Sequence, residues 1–268
     1  MVGAMASDER VPARVFGEVA EDFDRVRRPY PADLVEDVLD YLGPDGWGRR
    51  ALEVGAGTGK ATLPFAMRGL PIVALEPDHA MAAVLARNVA GRPGVWVVRS
   101  AFEEYPLEER FALVYCADAW HWTEPGSRWR LAGRALAPGG ALALFWNNDR
   151  IDDATQRLAM LEVLAEVAPT VVVRDERADH ERLFEHWPGD ELAERSEFEA
   201  LVGRVYTSRA TLSGADYLTY MSTRSQCRML EERSRQRLFT ALADVFDGAV
   251  SLTIDTVLYL ARRAPEPG

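Results

Sequence analysis

Between residues 33 and 146 the chain alternates short unbroken apolar runs with stretches whose apolar residues recur every three or four positions. Ala51–Val54, Ile72–Leu75, Val95–Val98, Phe111–Cys116 and Ala141–Trp146 are the runs, and each predicts a strand. Helical spacing fills the gaps: a segment ending near Arg68, His79–Val89 and Trp129–Leu136. Two further helices are expected upstream, Val15–Arg27 and Asp33–Leu42, separated by Pro29 and Pro31, which neither helix can accommodate in its interior. Strands that are apolar at every position are covered on both faces, so a parallel sheet with helices on each side follows. This is a Rossmann-like α/β arrangement, which binds ligands at the carboxyl ends of its strands.

Beyond Trp146 the rhythm changes. Asp153–Val167 reads as a helix, 169–188 as charged and irregular, Val202–Thr211 as an alternating edge strand, Ala215–Phe246 as mostly helical and Ser251–Ala261 as a last strand. The expected organisation is N-terminal helices and a cofactor-binding core over 1–150, a helical and irregular cap over 151–200, and final strands with further cap helices over 201–268. Residues 1–13 are expected to be polar and frayed.

Composition narrows the function. Of 268 residues 48% are hydrophobic and 27% charged, enough for a full core and too polar for a membrane protein. No apolar run approaches the roughly 20 residues that span a bilayer, and MVGAMASDER lacks the order of a secretory signal, so a cytoplasmic location is expected. Two cysteines, Cys116 and Cys227, make neither a disulfide framework nor a metal site. A net charge of −11 opposes phosphate backbones, which argues against nucleic acid as partner. Lys60 is the single lysine, a bias that reads as genome composition.

The segment Glu53-Val54-Gly55-Ala56-Gly57-Thr58-Gly59 joins a strand to a helix. Glycines there let the backbone approach a ligand closely. A phosphate-binding loop would need Gly at 54 and Ser or Thr at 61, where Val54 and Ala61 stand, and the dinucleotide fingerprint would need a third glycine where Lys60 stands. Glu76 ends the second strand, where a carboxylate can accept both hydroxyls of a ribose. That spacing alone suits either a nicotinamide dinucleotide or S-adenosylmethionine.

With Leu75-Glu76-Pro77, Ser100-Ala101-Phe102-Glu103, Ala117–Trp122 and Pro138-Gly139-Gly140 in this order, the chain resembles class I S-adenosylmethionine-dependent methyltransferases. It is most similar to the branch that includes trans-aconitate methyltransferase, a branch that also carries segments like Phe23-Asp24-Arg25 and Tyr30-Pro31. The resemblance implies a seven-stranded, mostly parallel sheet whose last strand inserts antiparallel, with S-adenosyl-L-methionine as cofactor. It further implies a cofactor site of Glu53, Gly55, Ala56, Gly57, Glu76, Pro77, Met81, Ser100, Ala101, Phe102 and Ala117. Gly55 and Gly57 would line the methionine portion, Glu76 would hold the ribose, and Pro77 with Met81 would pack near the adenine. Many members place Asp where Ala101 stands, so either Ser100 or the backbone near Phe102 takes the adenine amino group, or adenine is recognised more loosely.

Methyl transfer needs alignment of acceptor and methyl, and a base only when the acceptor is protonated. His121 is the candidate base at the end of the fourth strand, with a wall-lining role as the alternative, and Trp120, Trp122 and Trp146 are expected to build an aromatic wall. Asp118 could orient a base or cap a turn. His180 and His186 are expected on the surface. The Asn-Pro-Pro-Tyr segment of nucleic-acid amino-methyltransferases is absent after the fourth strand, so a small-molecule acceptor is expected. A nucleotide-cofactor oxidoreductase and a cofactor-binding protein without acceptor activity are the competing classes.

Overall fold

A computed structural model describes residues 12–173 and 176–265 of the chain. The frayed start expected over 1–13 lies, but for its last two residues, outside the described residues. Seven strands form one sheet: β1 Ala51–Val54, β2 Ile72–Leu75, β3 Val95–Val98, β4 Phe111–Ala117, β5 Leu136–Ile151, β6 Phe198–Ser213 and β7 Ala249–Arg263. Their order is β3-β2-β1-β4-β5-β7-β6. β3, β2, β1, β4 and β5 are parallel, and β7 inserts antiparallel between β5 and β6. The sheet is the seven-stranded, mostly parallel one the resemblance implies. The order reverses between β1 and β4, which opens a crevice above their carboxyl ends.

β1, β2 and β4 begin where the apolar runs begin, because their side chains are buried on both faces, whereas β3 is an edge strand with Trp96 exposed. Alternate residues supply two cores: Ala51, Ala74, Leu113, Ala143 and Phe145 on one face, Leu52, Val73, Val114, Leu142 and Leu144 on the other. β5 is longer than the expected 141–146. It begins at Leu136, passes Gly139 at φ +70 with a register shift against β4, and continues to Ile151 against β7. Polar Asn147, Asn148 and Asp149 conceal that extension in the sequence, since their partners are backbone groups of β7.

Helices occupy Ala20–Val26, Ala32–Leu42, Thr62–Met67, His79–Asn88, Arg128–Ala135 and Ala154–Val167. The expected helix from Val15 is a 3₁₀ turn over Pro12–Val19 before it becomes α-helical. The region 215–246 divides into Gly214–Ser222, Ser225–Met229 and Glu232–Val245. These helices and Ala154–Val167 share a separate core of Met160, Leu164, Tyr217, Met221, Leu238 and Leu242, roofing the extended ends of β5 and β7. The segment Arg25–Tyr30 ties this roof to the sheet: Arg25 pairs with Asp216, Arg27 bonds Thr223 at 3.1 Å, and the Tyr30 hydroxyl donates to Asp118 at 2.7 Å.

Candidate functional site

The glycine turn is shaped by φ, by contact and by one carboxylate. Gly55, Gly57 and Gly59 all have positive φ, +68, +58 and +95, a region side chains make costly. At Gly55 a Cβ would stand 2.5 Å from that of Ala119, so this glycine lets the β1 and β4 loops pass each other. Gly57 differs: nothing lies within 4 Å of where its Cβ would be. Its N–H donates to Glu76 Oε2 at 2.8 Å, and Asp78 N–H donates to Glu76 Oε1 at 2.9 Å. Asp78 then caps the helix His79–Asn88 through Ala80 and Met81 N–H groups, which sets Met81 beside the turn.

A cavity of about 550 Å³ opens above β1, β2 and β4 and runs across to the ends of β5 and β7, within the range of small-molecule sites. Gly55, Ala56, Gly57, Glu76, Pro77, Met81, Ser100, Ala101, Phe102, Ala117 and His121 all line it. Glu53 does not. Strand alternation turns Glu53 to the face of Ala51, beneath the turn, where Oε2 accepts from Thr62 at 2.6 Å and from Tyr115 at 2.9 Å. Its Oε1 is buried with no hydrogen-bond partner among the described residues.

Burial raises the Glu53 carboxyl to about 8, against the lowering pull of its Thr62 and Tyr115 hydrogen bonds and with the Glu76 charge adding to the rise. Burial also raises Glu76 to about 7, opposed by the hydrogen bonds from Asp78 and Gly57. Lys60, which mimics a phosphate-loop lysine in the sequence, instead pairs with Asp24 at 3.1 Å. Asn88 Nδ2 joins the same carboxylate at 3.0 Å and holds the Thr58 carbonyl at 2.9 Å, so the turn is anchored from the N-terminal segment.

The aromatic wall is smaller than expected. Trp122 lines the cavity, whereas Trp120 is fully buried against Phe102 and Trp129. Trp146 packs on Trp187 and Tyr259. The reason for Trp146 is the two-residue period of β5, which gives the cavity face to Asn147. His121 is exposed at the mouth on the turn Trp120–Trp122, its ring centre 4.6 Å from that of Trp122. His180 and His186 are exposed, as expected.

Sequence reasoning passed over the far half of the cavity. Asp118 lies at φ +53, uncommon for a residue with a side chain. Its Oδ2 accepts from Tyr30, and burial raises its carboxyl. Asp149, Tyr220 and Arg224 line the same half, with Arg224 donating to Asp149 Oδ1 at 2.9 Å and the Tyr220 hydroxyl bonding the same oxygen. A signal was present in Tyr30-Pro31, but nothing in spacing brings residues 191 positions apart together as Arg25 and Asp216 are. Among the described residues no group of three or more His, Cys, Asp or Glu is placed to hold a metal, and no helix is long and apolar enough to cross a membrane.

Comparison with known proteins agrees with this geometry. A family model described as a methyltransferase domain matches residues 52–144. An uncharacterized methyltransferase of Mycobacterium tuberculosis is 34% identical over 164 residues, 61% of this chain. One of Schizosaccharomyces pombe is 31% identical over 137 residues, 50% of this chain and 53% of its own. The chain spans 62% of the mycobacterial relative's length. Among solved structures, a proposed type II methyltransferase of Anaeromyxobacter dehalogenans superposes with TM-score 0.60 at 19% identity, covering 90% of this chain and 99% of that one. A Haemonchus contortus phosphoethanolamine N-methyltransferase, solved with phosphomonomethylethanolamine and S-adenosylhomocysteine, gives 0.54 at 15% identity, covering 96% of this chain and 61% of that one. These likenesses concern the fold.

The raised Glu53 and Glu76 carboxyls carry a stability prediction. The folded protein keeps protons that the unfolded chain, with ordinary carboxyls near 4.5, has released. Their contribution to stability is therefore greatest below about 4.5 and is lost as pH rises through about 7 and then about 8. Glu53→Gln reproduces the neutral carboxyl and should flatten the upper part of that decline, with a melting temperature above wild type at pH 9. A variant that melts below wild type at pH 9 along a parallel pH curve would contradict the assignment.

Proposed function

We propose that this chain, which carries the class I methyltransferase domain, transfers a methyl group from S-adenosylmethionine to a small-molecule acceptor. The observation that supports it most is the shape of the glycine turn. The buried Glu76 carboxylate carries two backbone N–H bonds and still has lone pairs on its cavity side, beside open space at Gly57. An acid that accepts two ribose hydroxyls next to an unobstructed backbone fits the nucleoside and amino-acid ends of that cofactor. When bound, S-adenosylmethionine supplies an electrophilic methyl on a sulfonium, and the protein's own work is binding, orientation and exclusion of water.

Each residue then has a role. Glu76 holds the ribose, while Gly55, Ala56 and Gly57 pass along the methionine portion. Pro77, Met81, Ala101 and Phe102 clasp the adenine apolar faces. Ser100 donates its hydroxyl hydrogen to the Ala101 carbonyl at 2.9 Å, which leaves its oxygen lone pairs to accept from the adenine amino group in place of the missing Asp. Glu53 supports the turn from beneath without touching the ligand. Ala117 ends β4 between the cofactor half and the acceptor half of the cavity. For a hydroxyl acceptor, His121 at the mouth takes the proton. A free cofactor-binding function is the second reading, and the continuous cavity across β5 and β7 favours the enzyme over it.

Calorimetric titration with S-adenosylhomocysteine tests the cofactor assignment. Ionised Glu76 is the form that accepts the ribose hydroxyls, so affinity should rise with pH through about 7 and flatten above it. Glu76→Gln should cost about 1.5–3 kcal/mol, the range for hydrogen bonds to a charged group, and remove that pH dependence. A loss well under ~0.5 kcal/mol, below the range for even a neutral hydrogen bond, means the ribose is held elsewhere.

His121 is tested by His121→Gln with a hydroxyl acceptor found by screening against labelled donor. Turnover should fall about 10²–10⁴-fold with homocysteine-product affinity unchanged. Turnover within about threefold of wild type, far short of general-base loss, assigns His121 to the cavity wall.

A further inference from the structure

Arginines gather along one part of the cavity in a chain whose net charge is −11. Three arginines line it, Arg27, Arg28 and Arg224. Two carboxylates accompany them there. Asp149 is engaged by Arg224 at 2.9 Å, and Asp118 is spent on Tyr30. Burial raises the Asp118 carboxyl, while the Tyr30 hydrogen bond and the nearby Arg27 charge pull it down.

Arg27 is the telling residue. Its Nε donates to the Thr223 hydroxyl at 3.1 Å and its Nη2 to the Thr223 carbonyl at 3.4 Å, both neutral acceptors. Its guanidinium stacks 4.7 Å from the Tyr220 ring centre and 4.9 Å from that of Phe23. The Arg224 guanidinium stands 5.4 Å from the same Tyr220 ring, and its buried Nε has no hydrogen-bond partner among the described residues. Two guanidiniums are thus fixed on one aromatic ring, Arg224 with Asp149 as its ion-pair partner. Stacking and Thr223 hold Arg27 in place, the Asp118 charge acts on it across space, and its remaining N–H groups are available to an oxyanion. Around this pair the lining turns apolar, with Trp122, Leu212, Leu252 and Ile254.

We propose that the acceptor is an amphipathic organic anion. Its carboxylate or phosphate is held by Arg27 and Arg224 over Tyr220, and its apolar body lies along Trp122, Leu252 and Ile254. This inference rests on the methyl-transfer reading and names the substrate class for the same cavity. A guanidinium binds a planar carboxylate or a phosphate in a bidentate manner, so the two sources are separated by experiment.

The test is binding, which needs no turnover. With S-adenosylhomocysteine saturating, calorimetry, with intrinsic tryptophan fluorescence as a second readout, is used to titrate octanoate, octyl phosphate and octan-1-ol into wild type, Arg27→Gln and Arg27→Lys. At least one of the two anions should bind about tenfold or more tightly than octanol, as a charge-assisted hydrogen-bond pair requires, and the tighter one names the head group. Arg27→Gln should lose about tenfold for that anion and little for octanol, because removing Arg27 leaves no carboxylate unpaired. Arg27→Lys should recover part of the loss, and added chloride should weaken the anion alone. Should Arg27→Gln not fold, wild type and Arg27→Lys still decide. Octanol binding as tightly as both anions, or an anion affinity in folded Arg27→Gln within threefold of wild type, overturns the proposal. So does absence of binding by every probe while S-adenosylhomocysteine still binds, which leaves the methyl-transfer reading intact. Failure of S-adenosylhomocysteine itself removes that reading and this proposal together.

Discussion

Everything at the cofactor end depends on one buried carboxylate that must accept backbone hydrogens before it can accept a ligand's. Glu76 ends β2 where the parallel sheet leaves it 7% exposed, and an unsatisfied charge there would be costly. The Gly57 and Asp78 N–H groups offset part of that cost, and in doing so they curve the glycine turn toward β2 and start the next helix. A side chain at Gly57 would have to adopt a left-handed backbone and fill the space the turn leaves open. The glycine pattern and the acid are therefore one device, linked by a 2.8 Å hydrogen bond.

A second constraint joins the two halves of the cavity. The segment from Asp24 to Tyr30 reaches in turn to Lys60 and Asn88 at the turn, to Asp216 and Thr223 on the roof, and to Asp118 at the end of β4. Few of these contacts are worth much singly, since exposed ion pairs such as Arg25–Asp216 contribute little. Their value is geometric. They fix Arg27 over Tyr220 and Tyr30 beside Asp118, so the acceptor half is assembled from an N-terminal segment and C-terminal helices at once.

The first half of the sheet was legible because its strands are apolar but for Glu53: Ala51–Val54, Ile72–Leu75 and Val95–Val98 begin and end where the runs do. The extension of β5 through Asn147, Asn148 and Asp149 was not, because polar side chains there face a cavity and the strand is held by backbone pairing to β7. That Gly55, Ala56, Gly57, Glu76, Pro77 and Met81 come together was legible as a family pattern with local spacing, and they line one cavity. Glu53 was drawn into that pattern although strand alternation turns it away from the cavity. Trp146 was assigned to a wall for lack of the same alternation. The far side of the cavity was least legible, since Arg27, Asp118, Asp149 and Arg224 come to line it only through tertiary packing and carry no fixed spacing.

The central claim is that the cavity is built for a sulfonium nucleoside and not for a dinucleotide. Thermal unfolding of the full chain with S-adenosylhomocysteine, with NAD, and with neither tests it most directly, because selective binding to the folded state raises the melting temperature by mass action. The account predicts a concentration-dependent rise with S-adenosylhomocysteine and none with NAD at the same concentration. An equal or larger rise with NAD, or no rise with S-adenosylhomocysteine at millimolar concentration, would contradict it.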